Sequence, residues 1–96
     1  MLKHKKIKLG RKYIEGIRFK LFTKNLIVLK GSKGYIMCGY LDLKVAEKFG
    51  DVAVKIVGVS DIQGTLNSRV FDCSRPAKKL GIYKGQPVKE ALRIIA

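Results

Sequence analysis

The chain is expected to be an α+β domain, an N-terminal antiparallel β-meander followed by mixed β-strands and two or three short helices. Three observations carry this expectation. Apolar and polar residues alternate with a period of two before residue 38, helical spacing takes over toward the C terminus, and the segments between apolar runs are of hairpin length. Size agrees: 96 residues leave room for one core and little more.

Residues 1–12 contain many like charges and few apolar side chains, so they read as a basic arm or a first edge strand, and residues 13–96 as a single domain. From Tyr13 to Phe22 the chain alternates, with Ile17, Phe19 and Leu21 pointing toward a core and Arg18 and Lys20 away from it. Thr23, Lys24 and Asn25 make a turn in which Asn supplies the left-handed residue. Leu26, Ile27, Val28 and Leu29 are then apolar on both faces, and Tyr35 to Cys38 completes the meander after a short turn at residues 31–34. A chain of this size buries only about 60–65% of its unfolded surface. Such a strand is hard to cover from within. A second copy is the natural cover, and Ile17, Phe19, Leu21, Leu26, Ile27, Val28 and Leu29 are the expected oligomerisation residues.

In the second half, Asp42 can N-cap a helix over residues 43–49, with Leu43, Ala46 and Phe49 as its buried stripe and Gly50 as its stop. Residues 52–59, rich in β-branched side chains, suit a central strand. Turn formers over residues 61–68 give a loop with one helical turn, and the polarity of Asp61, Gln63, Thr65, Asn67, Ser68 and Asp72 fits a wet loop or the lining of a small pocket. Residues 69–73 form a short strand. Ser74 caps a brief helix through Leu80, where Gly81 and Ile82 supply a Schellman ending. Pro87 opens the last helix, whose Val88, Ala91, Leu92 and Ile95 repeat at i, i+3, i+4 and i+7.

The formal charge of +14 raises the question of an anionic partner. It is concentrated: residues 1–33 carry eleven cations and one acid, Glu15. Sixteen lysines against three glutamates do not make the ion-pair networks of thermal adaptation. Basic residues beside aromatics at Arg11, Lys12 and Tyr13 and at Arg18, Phe19 and Lys20 resemble what nucleic acid requires, although no nucleic-acid motif is present. No apolar run is long enough to span a membrane and no secretory leader is evident, so a cytoplasmic chain without membrane partners is expected.

Chemistry is sparsely signalled. Cys38 lies at a strand end, beside Gly39 and four residues before a helix, a setting that can activate a thiol and lets a ligand approach the backbone; it is the candidate catalytic residue. Cys73 has a similar setting, and both equally fit small buried hydrophobes. A base for Cys38 would have to come from His4, the single histidine, brought from the basic arm or from another subunit. Residues 31–34, including Lys33 and Gly34, can form a backbone nest for an anion or a plain hairpin turn. No ligand spacing for a metal occurs, nor any glycine motif for a nucleotide cofactor, so neither is expected.

The string Gly34-Tyr-Ile-Met-Cys-Gly-Tyr-Leu-Asp42, the Gly58-Val-Ser60 segment, Ala77-Lys-Lys-Leu-Gly-Ile-Tyr-Lys-Gly85 and Glu90-Ala-Leu92 resemble the YunC-like bacterial and archaeal family, a domain of unknown function. The resemblance covers nearly the whole chain from Tyr13. It implies a small domain whose N-terminal strands are a tetramerisation region. It implies no settled activity or cofactor. The family motif falls on Gly34, Tyr35, Cys38 and Gly39, and on Gly81 and Gly85; with Lys33 of the 31–34 turn, Gly34, Tyr35 and Gly39 are the candidates for binding a ligand or anion.

Overall fold

The computed structural model describes residues 2–96; Met1, which the sequence reading places in the basic arm, lies outside the described residues. Six strands, β1 (Leu2–Leu9), β2 (Lys12–Leu21), β3 (Lys24–Lys30), β4 (Tyr35–Met37), β5 (Ala53–Lys55) and β6 (Asp72–Cys73), form one sheet in sequence order. Four helices, α1 (Leu43–Lys48), α2 (Ile62–Leu66), α3 (Arg75–Lys79) and α4 (Val88–Ile95), complete the α+β fold. The additional helix is α2, five residues long, in the stretch expected to be a loop with one helical turn: Asp61 Oδ1 accepts the Gly64 N–H at 2.6 Å and nucleates it.

Strands β1 to β4 are an antiparallel meander; β4 and β5 are parallel, as the α1 crossover requires, and β6 is antiparallel to β5. The basic segment is thus the edge strand β1, paired along its length with β2 from Leu9 opposite Lys12 to Leu2 opposite Phe19. Its turn is made by Gly10, at φ +62°.

The two faces of the sheet differ. On one, Ile14, Leu29, Ile36, Val54 and Cys73 meet Ala77 of α3 and Val88, Ala91, Leu92 and Ile95 of α4, with Ile62 and Leu66 of α2 at the margin. This is the main core. On the other, α1 packs Ala46 on Ala53, Tyr35 and Met37, a smaller cluster.

Several expectations require correction. The core face of β2 carries Ile14 and Gly16, whereas Ile17, Phe19 and Leu21 lie on the opposite face and Phe19 is 42% exposed. The reason is α2: a Cβ on Gly16 would stand 3.2 Å from Ile62 Cδ1, so this face is the one the helices cover. The left-handed turn residue is Phe22 (φ +42°), not Asn25, because Leu21 pairs with Lys24 and leaves a two-residue loop. Phe49 does not join the stripe of α1 but caps it and is 77% exposed. The run 52–59 keeps strand pairing only as Ala53–Lys55, and Gly58 at φ +73° turns the chain away. Residues 69–71 likewise fall outside β6; Arg69 instead bridges to Pro87.

Elsewhere local chemistry and structure agree. Asp42 Oδ1 caps α1 by accepting from Lys44 and Val45. Gly81 N–H donates to Lys78 O and Ile82 N–H to Ala77 O, the two bonds of a Schellman ending. Among the described residues no helix is long and apolar enough to cross a membrane.

Candidate functional site

Beyond the carboxyl ends of β4 and β5 lies a cavity of about 500 Å³. Three separate segments build it: Thr23, Lys24 and Asn25 from the β2–β3 hairpin, Cys38, Gly39 and Tyr40 after β4, and Val57, Gly58, Val59 and Ser60 after β5. Parallel strands end with irregular backbone on the same side, so their carboxyl ends are where an open sheet forms a crevice. The Asn25 Nδ2 donates to the Ser60 carbonyl at 2.7 Å and ties the hairpin to the loop that leads into α2.

Cys38 sits in this wall, 5% exposed. Its N–H donates to Ile27 O at 3.2 Å, the Ile27 N–H donates back to Cys38 Sγ at 3.4 Å, and the thiol points at Asn25 O, 3.8 Å away. The sulfur is held by backbone on two sides. No histidine or carboxylate lines the cavity beside it. His4 is on β1, three strands distant, with Nε2 3.9 Å from Glu15 Oε2. A nucleophile needs a base within hydrogen-bond reach, and one chain does not supply it here.

Cys73 is 3% exposed, its Sγ 3.7 Å from Ile82 O, and burial pushes its thiol pKa up despite the nearby Lys78. That is the setting of a packing residue. Both cysteines are free. A second depression, of about 670 Å³, lies beside it between α1 and β6, where Asp42, Glu47 and Asp72 face Lys44, Lys55 and Lys78. Its charges are mixed and select no one ligand.

The remaining candidates are not brought together. Lys33 is exposed, and its N–H donates to Ile95 O at 2.8 Å, while Gly31 N–H donates to Gly34 O at 2.8 Å. Two of the four N–H groups of this turn, those of Gly31 and Lys33, are thus already used. The turn is a hairpin packed on the end of α4. Gly34 is required for close packing, since a Cβ there would strike the Val52 carbonyl and stand 2.7 Å from Val52 Cγ1. Tyr35 lies under α1, where its hydroxyl donates to Asp51 Oδ2 at 2.9 Å. Of the four, only Gly39 reaches the cavity, next to Cys38.

The oligomerisation residues also divide. Ile27 and Leu29 are fully buried in the chain's own core and have no surface to offer a partner. Ile17, Leu21, Leu26 and Val28 are half-buried on the other face, with Phe19.

Local pattern singles out few of the cavity residues. Gly58, ending a β-branched run, is one sign of the bend that forms the wall. Thr23, Lys24, Asn25 and Tyr40 carry no such sign, because they matter only through segments distant in sequence.

The fold and site define a small α+β domain with a strand-end cavity and one sheet face left open. The chain matches the family described as "Domain of unknown function (DUF1805)" over residues 37–95. It is 36% identical to the uncharacterized protein YunC of Bacillus subtilis (strain 168), over 79% of each chain. It also resembles the crystal structure of a protein of unknown function, TA1206 from Thermoplasma acidophilum, with a TM-score of 0.96 and 33% identity, over 100% of this chain and 94% of that one. The chain therefore belongs to the DUF1805, or YunC-like, family, for which no activity is established.

Proposed function

We propose that this protein is a homo-oligomeric, basic binding or scaffold domain whose copies associate as a tetramer through the open face of β2 and β3. One observation carries the reading. In register, Ile17 stands opposite Val28 and Phe19 opposite Leu26, so one face of the hairpin is an apolar stripe, while α1 packs farther along, on Tyr35 and Met37. A contiguous apolar face on a +14 chain is costly to leave in water. The stripe is bordered on its own face by Lys24 and Lys30 of β3 and by Lys6 and Lys8 of β1, with Glu15 between them, so association must leave these ammonium groups at its rim. Arg18 and Lys20 occupy the other face of β2, with Lys3 directly opposite Arg18. Light scattering at micromolar concentration should give the mass of four chains, and Phe19→Glu should dissociate them while circular dichroism is retained. A monomeric wild type overturns the reading.

A second reading, nucleic-acid binding, is supported by Lys3, Lys5, Arg18 and Lys20, which share one face of the β1–β2 pair with no acid among them. Retention on single-stranded DNA or RNA should then fall with salt at a log–log slope of about −0.7 per phosphate neutralised; no retention at low salt excludes it. Thiol-dependent catalysis at Cys38 would need a base delivered by a second copy.

A further inference from the structure

We propose that the cavity at the ends of β4 and β5 binds a small organic anion, its charged group met by Lys24 and the free backbone N–H groups of the wall and its apolar body lying on Tyr40 and Val57. The inference goes beyond the association of copies and does not depend on it.

The volume of about 500 Å³ falls within the roughly 300–1,000 Å³ of small-molecule sites. The lining is rich in donors. Among the described residues, the N–H groups of Gly39, Tyr40, Gly58, Val59 and Ser60 have no acceptor within the chain. Backbone donors without a partner are satisfied by solvent or by a ligand. The hydroxyls of Thr23, Tyr40 and Ser60 add to them. Lys24 is the one charged side chain among the ten that line the cavity, and among the described residues it forms no ion pair. One cation facing no carboxylate selects a negative ligand.

The shape favours an organic ligand. Tyr40 is 53% exposed and Val57 46%, so two apolar surfaces remain for a ligand to cover. The backbone is also open to approach. A Cβ on Gly39 would meet only Val57 Cγ1, at 4.0 Å, and one on Gly58 nothing within 4 Å. The wall is preformed rather than frayed, since Asn25 Nδ2 bonds Ser60 O and Cys38 exchanges bonds with Ile27.

The test is a titration of the full ¹⁵N-labelled chain with benzoate, phenyl phosphate and the neutral benzamide. Saturable shifts of the Gly39, Tyr40, Gly58 and Ser60 amides are expected with the anions and not with benzamide, and the tighter anion tells a carboxylate site from a phosphate site. Lys24→Gln should weaken binding about tenfold. Gly39→Ala should weaken it similarly with the thermal midpoint unchanged, because the new methyl group enters open space. Lys89→Gln, on the exposed side of α4, should change nothing. Equal response to benzamide, no saturable shift with either anion, or full affinity in Lys24→Gln overturns the proposal. Because binding is read at individual amides, a monomeric chain that binds would refute the assembly alone, and a tetramer that does not bind would refute the site alone.

Discussion

Ser74 and Ala53 hold one another by two hydrogen bonds: the Ser74 Oγ accepts the Ala53 N–H at 3.0 Å, and the Ser74 N–H donates to the Ala53 carbonyl at 2.9 Å. The same hydroxyl donates to Asp51 O at 2.7 Å and accepts from Ala77 N–H at 3.4 Å, capping α3. One fully buried oxygen thus joins β5, the segment before it and a helix that closes the main core. Ser74→Ala leaves the buried Ala53 N–H and the partly buried Asp51 carbonyl short of a partner. It should cost about 1–3 kcal/mol, lowering the thermal midpoint by roughly 4–8 °C per kcal/mol in a domain of this size. A midpoint within the scatter of surface variants would contradict this role.

Gly34 and Gly39 flank the same short strand and should respond oppositely to the same substitution. At Gly34 a Cβ meets the Val52 carbonyl, the acceptor of the Tyr35 N–H at 3.0 Å that opens the β4–β5 pairing. Backbone on both sides cannot give way as a flexible side chain can. Gly34→Ala should therefore destabilise the chain by about 1–3 kcal/mol, measured by denaturant unfolding beside Gly39→Ala as the neutral reference. Equal midpoints for the two variants would refute the close-packing role.

Tyr35 and Asp51 give the protein a specific alkaline response. Burial, the hydrogen bond to Asp51 and the Asp51 charge push the Tyr35 phenol up to about 12, whereas an unfolded tyrosine ionises near about 10. The folded state therefore holds this proton more tightly. Its contribution to stability is complete below about pH 10 and is lost as pH rises toward 12. Tyr35→Phe should lose less stability than wild type across that window, and the part of the ultraviolet tyrosinate titration lying near pH 12 should disappear. Parallel stability curves would show that the phenol does not titrate as described.

The elements that were legible from residues alone are those whose cause is local. The stripe of Val88, Ala91, Leu92 and Ile95 defines α4 because a helix brings these spacings to one face, and all four are fully buried. The caps at Asp42 and Ser74 and the Gly81–Ile82 ending depend on neighbours within a few residues. The faces of β2 were not legible. Alternation separates Ile14 and Gly16 from Ile17 and Phe19, but which set is covered depends on Ile62, a residue more than forty positions away. Residues 31–34 were legible only in part for the same reason: nothing near them in sequence shows that Ile95 accepts the Lys33 N–H.

What the residues by themselves determined is the α+β class, the sites of most turns and caps, the concentration of charge in the first third and the family, because periodicity, capping chemistry and motif strings are properties of short stretches. What only the tertiary structure decided is which apolar residues became core and which remained an open face, and where a ligand-sized cavity lies. The cavity is made where the hairpin at Lys24, the strand end at Cys38 and the bend at Gly58 converge, and that convergence is set by strand register and the packing of helices on one side of the sheet.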